Sequence, residues 1–252
     1  MIEYAEVLDF ANRFGVPADQ IRRDHLISHV LNTLASATPD HPGEFVFFGG
    51  TALCRTWLPD LRLSEDIDLL VDSMDGTEQL RRSISLGLRR EFPATWTKVG
   101  SRDDVDTWNL AARNLTVKIE FVLWRQRWKE TLQTASNDVQ LRYSDLPESV
   151  PLIVPTASAF AAMKLMAWTF RAAPRDIYDL AALAEAGMID HAALRSVDTI
   201  TGHTPTSRSI TNVAMGQVRD EWSAELDHQL GDPKSFDECV ALVRQALEAH
   251  EA

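Results

Sequence analysis

The stretch FVFFGGTALCRTWLPDLRLSEDIDLLVDS, residues 45–73, decides how the chain is read. Phe45 to Phe48 is a short, wholly apolar run suited to a buried strand, Gly49-Gly50 closes it, and a helix-like stretch follows from Thr51 to about Leu58. Asp66 to Val71 reads as a second strand, opening on Asp66-Ile67-Asp68. Side chains alternate across a strand, so the two aspartates share a face, and their carboxylates repel unless a cation sits between them. Hard divalent ions such as Mg²⁺ take such oxygens and keep open positions for phosphate groups. Gly49-Gly50-Thr51 lies between strand and helix, where backbone can approach a phosphate and the free N–H groups of a first helical turn favour an anion. Each piece alone has a plainer reading: a solvated strand end, and a tight strand-to-helix turn. Together they pair a phosphate cradle with a metal clamp. No G-x-x-x-x-G-K-[ST] and no G-x-G-x-x-G occurs, which removes the P-loop and dinucleotide-fingerprint alternatives.

Working outward, residues 2–36 read as helical around a break at Gly15-Val16-Pro17, and PDHPG at 39–43 stops helix. Thr77 to Phe92 reads as a helix bounded by Pro93, and Trp108–Ala112 with Leu115–Leu123 as a hairpin turning at Arg113-Asn114. In LTVKIEFVL, Leu115, Val117, Ile119, Phe121 and Leu123 alternate with Thr116, Lys118 and Glu120, so Glu120 points away from the core. A third carboxylate would complete a metal site and draw a proton from an incoming nucleophile. Glu120 is the candidate, with Asp106 and Glu148 less well placed; the plainer reading pairs Glu120 with Lys118. The composition changes at Val150-Pro151 to Pro155, dividing an α+β domain at 1–150 from a helical domain at 151–252. Helices are expected at about 156–171, 174–186, 190–201, 206–229 and 235–250, on the punctuation of Pro174, Gly187, Gly202, Pro205, Gly231 and Pro233.

The whole chain has 252 residues, with 45% hydrophobic and 25% charged content, as in soluble globular proteins. A net charge of −12 repels polyanions and anionic membrane, so a nucleic-acid partner needs a local positive patch. Two distant cysteines, Cys54 and Cys239, suit a reducing compartment, no apolar run is long enough for a membrane helix, and the N-terminal stretch is acidic and amphipathic where a signal peptide would be basic and then apolar. These features lead to the expectation of a cytoplasmic protein with no membrane partner.

The run Gly49-Gly50-Thr51-Ala52-Leu53, then Arg62-Leu63-Ser64-Glu65-Asp66-Ile67-Asp68-Leu69, resembles the nucleotidyltransferase toxins of the AbiEii/AbiGii family, which includes the mycobacterial MenT toxins. Met163-Lys164-Leu165-Met166-Ala167, followed by Arg175-Asp176-Ile177-Tyr178-Asp179-Leu180, resembles that family's helical lysine and RDxxDL motif. The resemblance implies a polymerase-beta-like nucleotidyltransferase core with a mixed sheet, followed by a helical C-terminal domain completing the active-site cleft. It implies the toxin of a toxin–antitoxin or phage-defence pair, with a cognate antitoxin as partner. Family members of known chemistry transfer nucleotides to the 3′ end of tRNA. Carried over by position, Gly49, Gly50 and Thr51 would contact the triphosphate, with Ser64 beside it. Asp66 and Asp68 would hold Mg²⁺ or Mn²⁺. Lys164 would neutralise phosphate charge, and Asp176 or Asp179 would complete the nucleotide side. Thr51 stands where many nucleotidyltransferases have Ser, which keeps the hydroxyl. Glu120, placed by alternation alone, would be the third metal ligand. The expected reaction is transfer of a nucleoside monophosphate from a nucleoside triphosphate to the 3′ end of tRNA, blocking translation.

The helical motif also has a direct reading. Lys164 lies amid Met163, Leu165 and Met166, where an ammonium must meet an anion or snorkel to solvent. Asp176 and Asp179 follow Pro174 at a helix start, where carboxylates suit the dipole. Other features are set aside. His25 and His29 stand at i, i+4, but neither HExxH nor a third ligand nearby supports zinc. His41, His191, His203, His228 and His250 are scattered, and Cys54 suits packing. Trp124-Arg125-Gln126-Arg127-Trp128-Lys129 interleaves aromatics with cations, and Arg81, Arg82, Arg89 and Arg90 form a basic stripe; either could grip phosphates, or merely pair with Glu78 and Glu91 in the case of the stripe. Two rival functions remain: the same chemistry on a protein or an aminoglycoside-like cation, and a partner-binding module without catalysis.

Overall fold

The computed structural model describes residues 2–37, 45–59, 61–102, 104–211 and 215–251. The expected helix stop at 39–43, with His41, lies outside the described residues. The chain divides into two compact units, Met1–Gln126 with Thr134–Val154, and Arg127–Gln133 with Pro155–Ala252.

In the first unit, α1 (Tyr4–Phe14) closes at Gly15, whose φ of 67° is left-handed, and α2 (Ala18–Ala37) starts after Pro17. Then come β1 (Phe45–Phe48), α3 (Gly49–Leu53), β2 (Asp66–Val71), α4 (Thr77–Leu88), β3 (Ala94–Arg102), β4 (Val105–Ala112) and β5 (Leu115–Leu123). The five strands form a mixed sheet in the order β1-β2-β5-β4-β3, with β2 and β5 parallel and the other neighbours antiparallel. A separate two-stranded sheet pairs β6 (Thr134–Gln140) with β7 (Ser149–Pro155). The α+β class and mixed sheet expected from the sequence are what the chain forms.

The sheet core is apolar on alternate positions: Ile67 and Leu69 of β2, and Val117, Ile119 and Phe121 of β5, are fully buried. Helix α2 contacts α4 and β5, and its Ile21, Leu26, Ile27, Val30, Leu31 and Leu34 have no exposed surface. Asp24, His25, Ser28 and His29 of this helix are buried as well. Asp24 accepts from Arg55 Nη2 at 2.7 Å, from Arg142 Nη1 at 3.1 Å and from Tyr143 Oη at 2.8 Å, and Arg55 also donates to Ser28 Oγ and the Gln140 carbonyl. Burial pushes the Asp24 carboxyl up, but the two guanidiniums and the phenol outweigh it and hold it below the ordinary value. This network ties α2 to the turn after α3 and to the β6–β7 connection.

Several segments depart from the expected elements, among them α5 and β6, for which no element is expected. Helix α3 stops at Leu53 rather than near Leu58, because Arg55 turns inward to Asp24 and Pro59 lies ahead. Strand β3 occupies residues to which the sequence reading assigned nothing. It is an edge strand with one neighbour and mostly exposed side chains, so it lacks an apolar run. The helix expected at 206–229 is instead a 3₁₀ turn (Ser209–Thr211), α9 (Met215–Asp220) and α10 (Trp222–Leu226), with 212–214 outside the described residues. Ser209 Oγ bonds the Thr206 backbone on both its N–H and its carbonyl, which competes with continuous helix there.

The second unit holds α5 (Gln126–Thr131), α6 (Ala157–Arg171), α7 (Pro174–Glu185), α8 (His191–Thr201), α9, α10 and α11 (Phe236–Glu248). Its helices start on caps written in the sequence: Thr156 for α6, Asp190 for α8, and a Ser235–Glu238 capping box for α11. Helix α7 packs against α6, α10 and α11, with Ile177, Leu180 and Leu183 fully buried. Among the described residues no helix is long and apolar enough to cross a membrane. Cys54 and Cys239 are free and buried, and burial pushes the Cys239 thiol up to about 12.

Candidate active site

Sheet register gathers the first group of expected site residues. Phe48 pairs with Asp68, so the chain leaving β1 turns at Gly49 beside the start of β2. Gly49 has a φ of 80°, and a side chain there would collide with the Asp68 carboxylate. A Cβ on Gly50 would stand 2.8 Å from the Arg62 guanidinium and 3.1 Å from Ser64 Oγ. Bare backbone at both positions therefore lies against Asp68, Ser64 and Arg62. Thr51 is 1% exposed, and its hydroxyl donates to the Asp66 carbonyl, which pins this turn to β2.

Strand β5 runs parallel to β2, with Asp66 beside Lys118 and Asp68 beside Glu120. Alternation turns Ile67 and Ile119 to the core and leaves these four charged side chains on the other face, partly exposed. Lys118 Nζ lies 2.7 Å from Asp66 Oδ2 and 3.4 Å from Glu120 Oε1. Thr107 Oγ1 of β4 donates to Glu120 Oε1 at 3.4 Å. Burial works against the Lys118 charge, but hydrogen bonding to Asp66 and the nearby carboxylates outweigh it, so its pKa is raised. The donor set is all oxygen, which suits a hard divalent ion, and the ammonium between Asp66 and Glu120 shows that this face accommodates a cation. Sequence reasoning saw Lys118 only as a partner for Glu120; its additional contact with Asp66 needed the parallel register of β2 and β5.

The second group lies in the helical unit. Lys164 on α6 is 6% exposed, so it does not snorkel. Its Nζ is 2.7 Å from Asp179 Oδ2 and 3.4 Å from Asp176 Oδ1, and both aspartates on α7 are fully buried. Asp176 also accepts from Arg171 Nε at 2.7 Å and Nη2 at 2.8 Å. Burial pushes the Asp176 carboxyl up, but Arg171 and Lys164 outweigh it and hold it below the ordinary value. Pro174 opens α7 and puts Asp176 in its first turn, as the sequence suggests. Arg171 is the member of this cluster that the sequence reading did not single out.

The basic features are mostly committed elsewhere. Arg125 pairs with Asp104, Arg127 donates to the Thr199 carbonyl, Arg82 pairs with Glu78, and Arg81 stacks 3.7 Å over the Trp108 ring. His25 and His29 do have a third group beside them: Asp145, which the sequence places far away.

A family model described as the nucleotidyl transferase AbiEii toxin of type IV toxin–antitoxin systems matches residues 32–242. Among solved structures, JHP933 from Helicobacter pylori is similar with a TM-score of 0.61 at 13% identity, covering 93% of this chain and 92% of that one. MenT4, a nucleotidyltransferase toxin from Mycobacterium tuberculosis H37Rv, is similar with a TM-score of 0.54 at 17% identity, covering 91% and 83%. No curated protein matches by sequence.

Proposed function

The chain belongs to the AbiEii nucleotidyltransferase toxin family, and from that premise we propose that it transfers a nucleoside monophosphate from a nucleoside triphosphate to the 3′ end of tRNA, blocking translation. The observation that carries this reading is the shared face of β2 and β5, where Asp66, Asp68 and Glu120 stand together beside the Gly49-Gly50 turn. Asp66, Asp68 and Glu120 would hold Mg²⁺, or Mn²⁺ in its place. Bound there, the ion would polarise phosphate oxygens and offset the charge that develops on them.

The remaining work falls to the chain itself. Backbone at Gly49 and Gly50, with the Ser64 hydroxyl, receives the triphosphate, and Thr51 holds that turn in place. Glu120, oriented by Thr107, takes the proton from the incoming hydroxyl. The hydroxyl oxygen bonds the α-phosphorus as the bond to pyrophosphate breaks in line. In the helical unit Lys164, held in orientation by Asp179 and Asp176, has the role of neutralising phosphate charge. The protein acts in the cytoplasm, and its partner is a cognate antitoxin.

The test is incubation of purified protein with Mg²⁺, each of four α-labelled nucleoside triphosphates and total tRNA, beside Asp66→Ala. Label in tRNA that requires Asp66 supports the reading and identifies the base. The net charge of −12 gives one physical reason for a cationic acceptor. Label in protein or in an added aminoglycoside instead of RNA would move the acceptor while keeping the site. No label with any acceptor would favour a partner-binding module.

A further inference from the structure

We propose that His25, His29 and Asp145, with Glu91 at the rim, form a second metal site, selective for a four-coordinate divalent cation of the zinc type and separate from the acidic face of β2. His25 and His29 lie one turn apart on α2, so their rings project from the same side of the helix. Their Nε2 atoms are 3.1 Å apart. Asp145, in the connection between β6 and β7, brings Oδ1 and Oδ2 to 2.9 and 3.1 Å from His25 Nε2, and Oδ2 to 3.5 Å from His29 Nε2. Glu91, just beyond α4, places Oε2 3.8 Å from His29 Nε2.

These separations match what an ion would impose. Tetrahedral donors on bonds of about 2.0–2.1 Å lie about 3.3 Å from one another. The contacts among His25, His29 and Asp145 run from 2.9 to 3.5 Å and scatter about that value. Among the described residues, His25, His29 and Asp145 are the group of three whose ligand atoms all fall within 4.8 Å.

Hydrogen bonding alone satisfies the two rings poorly. Each imidazole Nε2 carries either one proton or one lone pair. If His25 Nε2 donates to Asp145, it has no lone pair left for His29, and its single proton is divided between a carboxylate and a second nitrogen. Protonating both rings instead sets two imidazolium charges against each other where the side chains are only 3% and 10% exposed. A divalent cation among His25, His29 and Asp145 accepts a lone pair from each and removes the conflict.

Donor chemistry selects the ion. Two imidazole nitrogens with a carboxylate, and a fourth position open to water or to Glu91, suit zinc, whereas the oxygen-only set on β2 and β5 suits magnesium. The rings are also held in position: Phe92 packs on both, at 5.7 Å from His25 and 4.8 Å from His29, and Tyr143 packs on His25 at 4.9 Å. A pocket of about 250 Å³, lined also by Arg22 and Arg113, lies beside His25 and Phe92. A metal there would staple α2 to the β6–β7 connection.

The test uses the untagged full-length chain carrying Asp66→Asn and Asp68→Asn, stripped of metal and titrated with Co²⁺. Saturation at one ion per chain, with the intense visible bands of four-coordinate cobalt, displacement by Zn²⁺, and a rise in Tm with either ion would support the site. His29→Gln or Asp145→Asn should then weaken binding by more than about 10-fold. Glu91→Gln, at the half-exposed rim, should alter the bands in a chain whose circular dichroism is unchanged, and it serves if the buried variants do not fold. Absence of cobalt bands in the natively folded chain, or bands that survive both His29→Gln and Asp145→Asn, would overturn the proposal.

Discussion

Lys118 is the residue on which the electrostatics of the acidic face turn. Its ammonium contacts Asp66 and approaches Glu120, so it stands where the proposed catalytic ion would have to act. Removing a unit charge at contact distance is worth on the order of 1 kcal/mol even under full solvent screening, a factor of about five in binding. Lys118→Met, which keeps much of the stem, is therefore expected to lower the Mg²⁺ concentration for half-maximal transfer by about that factor. A Mg²⁺ titration of label transfer reads it directly, and a requirement that stays the same or rises would show that the ammonium does not compete with the ion. Much of this residue-level arrangement was legible beforehand. Strict alternation in LTVKIEFVL fixes the face of Glu120, and the i, i+2 spacing fixes that of Asp66 and Asp68. Contacts set by distant chain segments were not legible. Asp145 reaches His25 from 120 positions away, and Arg142 reaches Asp24 from 118, because register and loop path rather than local pattern bring them there.

At the scale of elements, the packing of α2 on α4 depends on a missing side chain. A Cβ on Gly87 would run into the Thr33 side chain, so glycine lets the two helices approach. On helix propensity alone Gly87→Ala should stabilise α4 by about 1 kcal/mol. The collision reverses the sign: Gly87→Ala should lower the urea midpoint, and adding Thr33→Ala should restore much of the loss. A stabilised single variant would show that Thr33 moves aside freely. Elements that bury one face or carry caps were readable, among them α1 with its Gly15 close, the β4–β5 hairpin, and α6 to α8. Elements whose signal depends on neighbours were not. Strand β3 is an exposed edge, β6 buries only Val139, and the 206–229 region reads as helix until its own Ser and Thr side chains are seen bonding the backbone.

For the whole molecule, each compact unit carries its own charged cluster, and each cluster sets a measurable dependence on conditions. In the helical unit, Asp176 titrates below its ordinary value in the folded chain, so its ionised form favours folding. That contribution is fully present above the unfolded carboxyl pKa of about 3.9 and is lost as pH falls through the lower folded value. The stability advantage of the native chain over Asp176→Asn should be complete at neutral pH and shrink below about pH 4, as urea midpoints across that range would report. A constant difference down to pH 2 would contradict the assignment. In the first unit the acidic face and the glycine turn carry the proposed chemistry, and its central claim is monophosphate transfer to a tRNA 3′ end. The direct measurement compares label from an α-labelled nucleoside triphosphate in intact tRNA and in tRNA whose 3′-terminal diol has been oxidised by periodate, with native protein and with Asp68→Asn. The account predicts label in intact tRNA only, and only with native protein; equal label in oxidised tRNA, or undiminished label with Asp68→Asn, would contradict it.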